Sequence, residues 1–117
     1  MKIVNQLGRP PRTFGAPVCR VRWSVVHQGT RRYNRMNMFI YWEAIDLMGC
    51  KVNDRFIIDT RGEVEFALVP DAKGLRVVPT KRRSMRITTH VKNNTMKEGY
   101  YLVSKKGGGY LLTHYMG

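Results

Sequence analysis

The sequence predicts a mostly β protein, a small α+β fold of antiparallel hairpins in a meander or barrel, with one short helix near residues 41–48. Three observations carry this. Val18–Val26 and Ser84–Val91 alternate apolar and polar residues with period two, the mark of half-buried strands. Connections rich in Gly, Asn, Asp and Ser separate the apolar runs. A helical three/four apolar spacing is read in one short segment, residues 41–48.

Residues 1–17 hold three of the five prolines and two glycines, with Arg9 and Arg12 among them. They read as an extended basic arm ahead of a single β-rich domain, residues 18–117. In Val18–Val26, Cys19, Val21, Trp23 and Val25 point one way and Arg20, Arg22 and Ser24 the other. Trp23 reads as core. A turn at Gly29 leads to a second strand, Tyr33–Ile40, so a hairpin would gather Arg20, Arg22, Arg31, Arg32 and Arg35.

The helix follows, with Trp42, Ile45 and Met48, joined by Tyr41 and Ala44, forming its apolar stripe and Glu43 and Asp46 opposite. Two turns of helix need tertiary packing to persist. Gly49 is placed to end it in the left-handed conformation. Val52–Asp54 reads as a turn in which Asn or Asp tolerates positive φ. Arg55–Asp59, Val64–Val69 and a third strand from Leu75 then form a meander with tight connections. After the basic cluster of Lys81, Arg82 and Arg83 comes the alternating Ser84–Val91 strand, which carries Arg86. Two apolar runs split by Ser104–Gly109 close the chain as a hairpin, with Lys105 and Lys106 at its glycine tip.

The chain has 117 residues, 43% of them hydrophobic, enough to bury a core without disulfides or metals. Cys19 and Cys50 have neither zinc nor secreted-disulfide spacing and read as buried thiols in a reducing cytoplasm. Neither a membrane span nor a signal peptide is evident. The net charge of +13 points to a polyanion partner. It is segregated: residues 1–42 carry eight Lys/Arg and no acid, whereas residues 43–71 carry seven acids and three bases. Residues 72–117 carry ten bases and the single acid Glu98.

The acids form no catalytic pair. Asp54, Asp59, Glu63 and Glu65 fall at turns and strand ends, with Glu63 and Glu65 on one strand face. His27, His90 and His114 lack a metal-ligand rhythm, and no cofactor is implied. The Gly-Lys tip lacks the order of a phosphate-binding loop. Nucleic-acid binding has the better support. Arg20, Arg22, Arg31, Arg32 and Arg35 can clamp phosphate or pair with guanine, Asn34 and Asn37 can read adenine, and Tyr33 can stack on a base or pack on its hairpin partner. Lys81, Arg82, Arg83 and Arg86, with Lys105 and Lys106, suit phosphate contact.

The stretch MNMFIYWEAIDLMGCKVNDRFII, residues 36–58, resembles the unit of the AbrB/MazE/SpoVT swapped-hairpin transcription factors. Met38 and Ile40 stand for the first strand and Tyr41–Met48 for the helix. Met48-Gly49 stands for Leu-Gly, Lys51 for the basic residue, and Asn53-Asp54 for Gly-Asp before the second strand. Tyr41, Ile45 and Asn53 depart from the family's proline, arginine and glycine. The resemblance implies an interlocked homodimer that binds DNA with Arg31, Arg32 and Arg35. The expectation is a non-enzymatic, double-stranded-DNA-binding transcriptional regulator in the cytoplasm. The rival readings are a small viral inhibitor or adaptor gripping an acidic protein surface, and an RNA- or ribosome-binding protein.

Overall fold

The computed structural model describes residues 16–80, 84–91 and 96–115. The strand β1 (Val18–Gln28) turns through Gly29 and Thr30 into β2 (Arg31–Tyr41). The register Gln28↔Arg31 makes this a two-residue hairpin loop, and Gly29 supplies the positive φ of 64° that such a loop needs. The helix α1 (Trp42–Met48) starts one residue later than its sequence pattern suggests, because Tyr41 stays extended as its N-cap. It ends at Gly49, left-handed at φ 61°, whose N–H bonds back to the helix.

The strands β3 (Arg55–Thr60) and β4 (Glu65–Pro70) form the expected hairpin, entered through Asn53 at φ 77°. Two short strands follow, β5 (Leu75–Arg76) and β6 (Val78–Pro79), then β7 (Ser84–Val91), β8 (Gly99–Lys106) and β9 (Gly109–His114). All join one antiparallel sheet in the order β5-β3-β4-β9-β8-β1-β2-β7-β6. The expected meander is corrected here. The third strand does not continue beyond β4 but pairs back with β3, then breaks at Val77 to pair with β7. The two sheet edges are therefore consecutive pieces of chain. Buried Val77 bridges them, its N–H donating to the Asp54 carbonyl and its carbonyl accepting from Asn53. This rolls the sheet almost closed, which removes the exposed edges an open sheet presents.

Inside lie Cys19, Val21, Met36, Met38, Ile40, Phe56, Phe66, Leu68, Ile87, Tyr101, Val103 and Leu112. Ala44 and Met48 of α1 press onto one mouth of the barrel, where Tyr110 donates its hydroxyl to the Met48 carbonyl. Trp42 leaves the expected stripe and is 48% exposed, because the helix buries the face of Ala44 and Met48, about half a turn away from it. At the other mouth Trp23 packs on the core from its margin, with its indole N–H on the Met96 carbonyl. The C-terminal hairpin also differs from expectation. Its strands run to Lys106 and from Gly109, so the tip is Gly107-Gly108 alone. Glu63 lies in the connection before β4, off the strand that carries Glu65. Among the described residues no helix is long and apolar enough to cross a membrane.

Both cysteines are free and buried. Burial pushes the Cys19 thiol far up and the Cys50 thiol up to about 11; the buried Tyr101 phenol rises to about 12. Such groups favour the folded state while protonated. Their contribution is intact below their ordinary values and is lost as pH climbs through the folded ones. Urea midpoints are therefore expected to fall steadily between about pH 9 and 12. A midpoint flat across that window contradicts the burial of these groups.

Candidate nucleic-acid interface

Period two fixes which side chains leave the barrel. Cys19, Val21, Met36, Met38, Ile40 and Ile87 point in, so on β1, β2 and β7 the residues between them point out. Pairing then lays these outward residues in rows. One row crosses four strands as Tyr100, Arg20, Phe39 and Arg86. The next is Arg22, Asn37 and Thr88, followed by Ser24, Arg35 and His90. Beyond these, Tyr33 faces Val26 and Arg31 faces Gln28. Arg20, Arg22, Arg31, Arg35 and Arg86 thus share one continuous face with Tyr33 and Asn37.

The face is held in place by its own contacts. The Arg20 guanidinium lies over the Tyr100 ring, 5.5 Å from its centroid, and close enough to Tyr41 to act on its phenol. Burial is the largest cause of the raised Tyr41 phenol, with Tyr100 adding to it and Arg20 opposing. Arg35 Nε donates to His90 Nε2 at 3.2 Å, and Tyr33 meets the His90 ring edge-on at 5.0 Å. Thr88 donates to Asn37 Oδ1 at 2.7 Å, and the Tyr33 hydroxyl reaches Gln28 at 3.0 Å. Tyr33 is thus tied to Gln28 of its own hairpin by its hydroxyl, while its ring meets His90 of the neighbouring strand β7. Arg86 is half-buried, and its Nε is sealed from solvent with no hydrogen-bond partner among the described residues.

The hairpin also projects. The register of β1 with β8 covers Val18–Val21, and that of β2 with β7 begins at Asn34. Among the described residues, the rungs from Val26↔Tyr33 to Gln28↔Arg31 are flanked by no third strand. They form a two-stranded ribbon with Arg31 and Arg32 at its end. Four of the acids sit elsewhere, Asp54, Asp59, Glu65 and Asp71 belonging to β3, β4 and their connections, whereas Glu98 reaches β1, its carboxylate accepting from the Trp23 N–H at 2.9 Å. The strands β3 and β4 are separated from β1 by β9 and β8 on one side, and from β2 by β5, β6 and β7 on the other. Glu98 apart, the acids of residues 54–71 are thus kept away from the arginine face around the barrel.

Several sequence expectations are redistributed. Arg32 and Asn34 alternate with Arg31, Tyr33 and Arg35, so they leave the opposite face of the ribbon. Lys105 and Lys106 lie beyond the Val18 end of β1, at the far mouth from Arg31, because β8 runs antiparallel to β1. Lys81, Arg82 and Arg83 fall outside the described residues. The pattern of residues 33–41 holds a signal that goes further than its arginines: Tyr33, Arg35, Asn37, Phe39 and Tyr41 are successive residues of one strand face. Tyr100 has no such signal, since only the β1–β8 pairing brings it to Arg20. Among the described residues no group of three or more His, Cys, Asp or Glu side chains is placed to hold a metal.

Comparison with family models, with curated proteins and with solved structures gives no match.

Proposed function

We propose that this protein binds nucleic acid, with duplex DNA as its primary target, through the outward face of β1, β2 and β7, and acts as a non-enzymatic regulator of transcription. The observation that carries the reading is the set of five arginines on that one face, continued onto a projecting ribbon. A two-stranded ribbon has the width to enter the major groove. Exposed Arg22 and Arg31 suit phosphates along its walls. Arg35 and Asn37, half-buried and held by His90 and Thr88, are pre-oriented donors for base edges. The swapped-hairpin resemblance of residues 36–58 adds to the reading a second chain, whose ribbon would enter a neighbouring groove.

The test is fluorescence anisotropy of labelled duplex DNA, structured RNA and a polyglutamate control across a salt series. Binding to duplex is expected to weaken linearly in log–log form, with a slope near −0.9 per phosphate engaged. Preference for RNA would move the target from DNA to RNA. Equal binding to polyglutamate would reduce the face to a general polyanion surface and remove the regulator.

A further inference from the structure

We infer that the foot of the ribbon is a stacking platform for unpaired bases, so that the preferred ligand is a duplex with an adjoining single-stranded segment. The inference rests on the nucleic-acid reading of this face and names its substrate more narrowly. Its basis is the row Tyr100–Arg20–Phe39–Arg86, which alternates aromatic ring and guanidinium across four neighbouring strands. Tyr41 joins the same face two residues beyond Phe39, with the Arg20 guanidinium near its phenol.

Four features of this row point to bases rather than to a buried partner layer. The rings of Phe39, Tyr41 and Tyr100 are all partly exposed on the outside of the barrel. Outward positions of a closed sheet are usually polar, so three aromatic side chains close together there are out of pattern. Rings and guanidinium planes are the two side-chain surfaces on which unstacked bases lie, and here they alternate at the spacing of adjacent strands, about 4.8 Å. Arg20 already lies over the Tyr100 ring, 5.5 Å from its centroid, so its place beside the ring is set before any ligand arrives. Arg86 lies half-buried between apolar Phe39 and Val78, so its position in the row is also set before any ligand arrives.

The platform and the ribbon divide the work. A duplex keeps its bases stacked on one another and offers nothing to Phe39 or Tyr100. Its phosphates and groove edges engage Arg22, Arg31 and Arg35 instead. A strand that leaves the duplex beside the ribbon would pass over the row, with Arg20 and Arg86 alternating between its bases.

The experiment compares three fluorescent DNA ligands with the intact protein: a blunt duplex, the same duplex with a short single-stranded overhang, and that overhang made abasic. The last two carry the same backbone charge, so only stacking separates them. The overhang is expected to bind roughly tenfold or more tightly than its abasic counterpart. A 2-aminopurine in the overhang is expected to change its emission on binding. Phe39→Leu, which keeps apolar volume, is expected to remove the overhang's advantage over its abasic counterpart. If normal and abasic overhangs bind alike while the blunt duplex also binds, the platform is overturned and the duplex reading stands. If none of the three binds, both are overturned.

Discussion

Replacing Arg22, Arg31 and Arg35 together by glutamine is expected to weaken duplex binding about a hundredfold at 0.15 M salt. The figure follows from counterion release and the loss of one base contact. Each phosphate contact contributes a salt slope near −0.9, so at 0.15 M Arg22 and Arg31 are each worth roughly fivefold, and loss of the Arg35 base contact, about 1–3 kcal/mol, brings the product to the order of a hundred or more. The slope itself should become shallower by about 2, the two phosphate contacts of Arg22 and Arg31. Arg22 and Arg31 are exposed, and Arg35 has His90 as its side-chain partner, so the fold should survive the change. Removing Lys105 and Lys106 takes away two positive charges but from the far mouth of the barrel. That variant should lose less than threefold. Equal losses in the two variants would mean that net charge, and not this face, sets affinity.

The largest effect on stability is expected at Gly74. A Cβ there would stand 2.4 Å from the Phe56 carbonyl carbon and 2.5 Å from its oxygen, both backbone atoms of β3. No rotamer can relieve that collision. The chain must move, and what it moves is the join between β5 and β3 next to the Val77 closure. Phe56 is itself buried, so the shift reaches the core. Gly74→Ala is expected to cost about 3 kcal/mol, near the upper end for overpacking, and to lower the melting temperature by roughly 10 °C. Gly108→Ala is the control: nothing lies within 4 Å of its Cβ position, and it should change stability by under about 0.5 kcal/mol. Urea unfolding of the pair measures the difference. Similar midpoints would contradict the close approach of β5 to β3.

The hairpin of β1 and β2 can be read from sequence because its alternation is local and its loop is two residues long. Gly49 and Asn53 can be read for the same reason, as each is demanded by the backbone conformation of its own turn. The closure at Val77 cannot. Residues 75–79 look like one strand, and only their pairing with β3 on one side and β7 on the other splits them. Trp42 shows a second limit. Helical spacing identifies a stripe, but the angle at which α1 meets the barrel decides that Ala44 and Met48 are buried while Trp42 stays exposed. At the site, the arginines of one hairpin are local and visible. Their union with Arg86 and Tyr100 depends on pairings across more than forty residues, which no local pattern contains.

The most direct measurement is amide chemical-shift mapping of the isotope-labelled protein titrated with duplex DNA. Shifts concentrated on residues 20–39 of the β1–β2 hairpin and on Arg86–His90 of β7, with β3 and β4 silent, are the expected result. Shifts centred on β3 and β4, or on the Lys105–Lys106 tip with the hairpin silent, would contradict the assignment of this face.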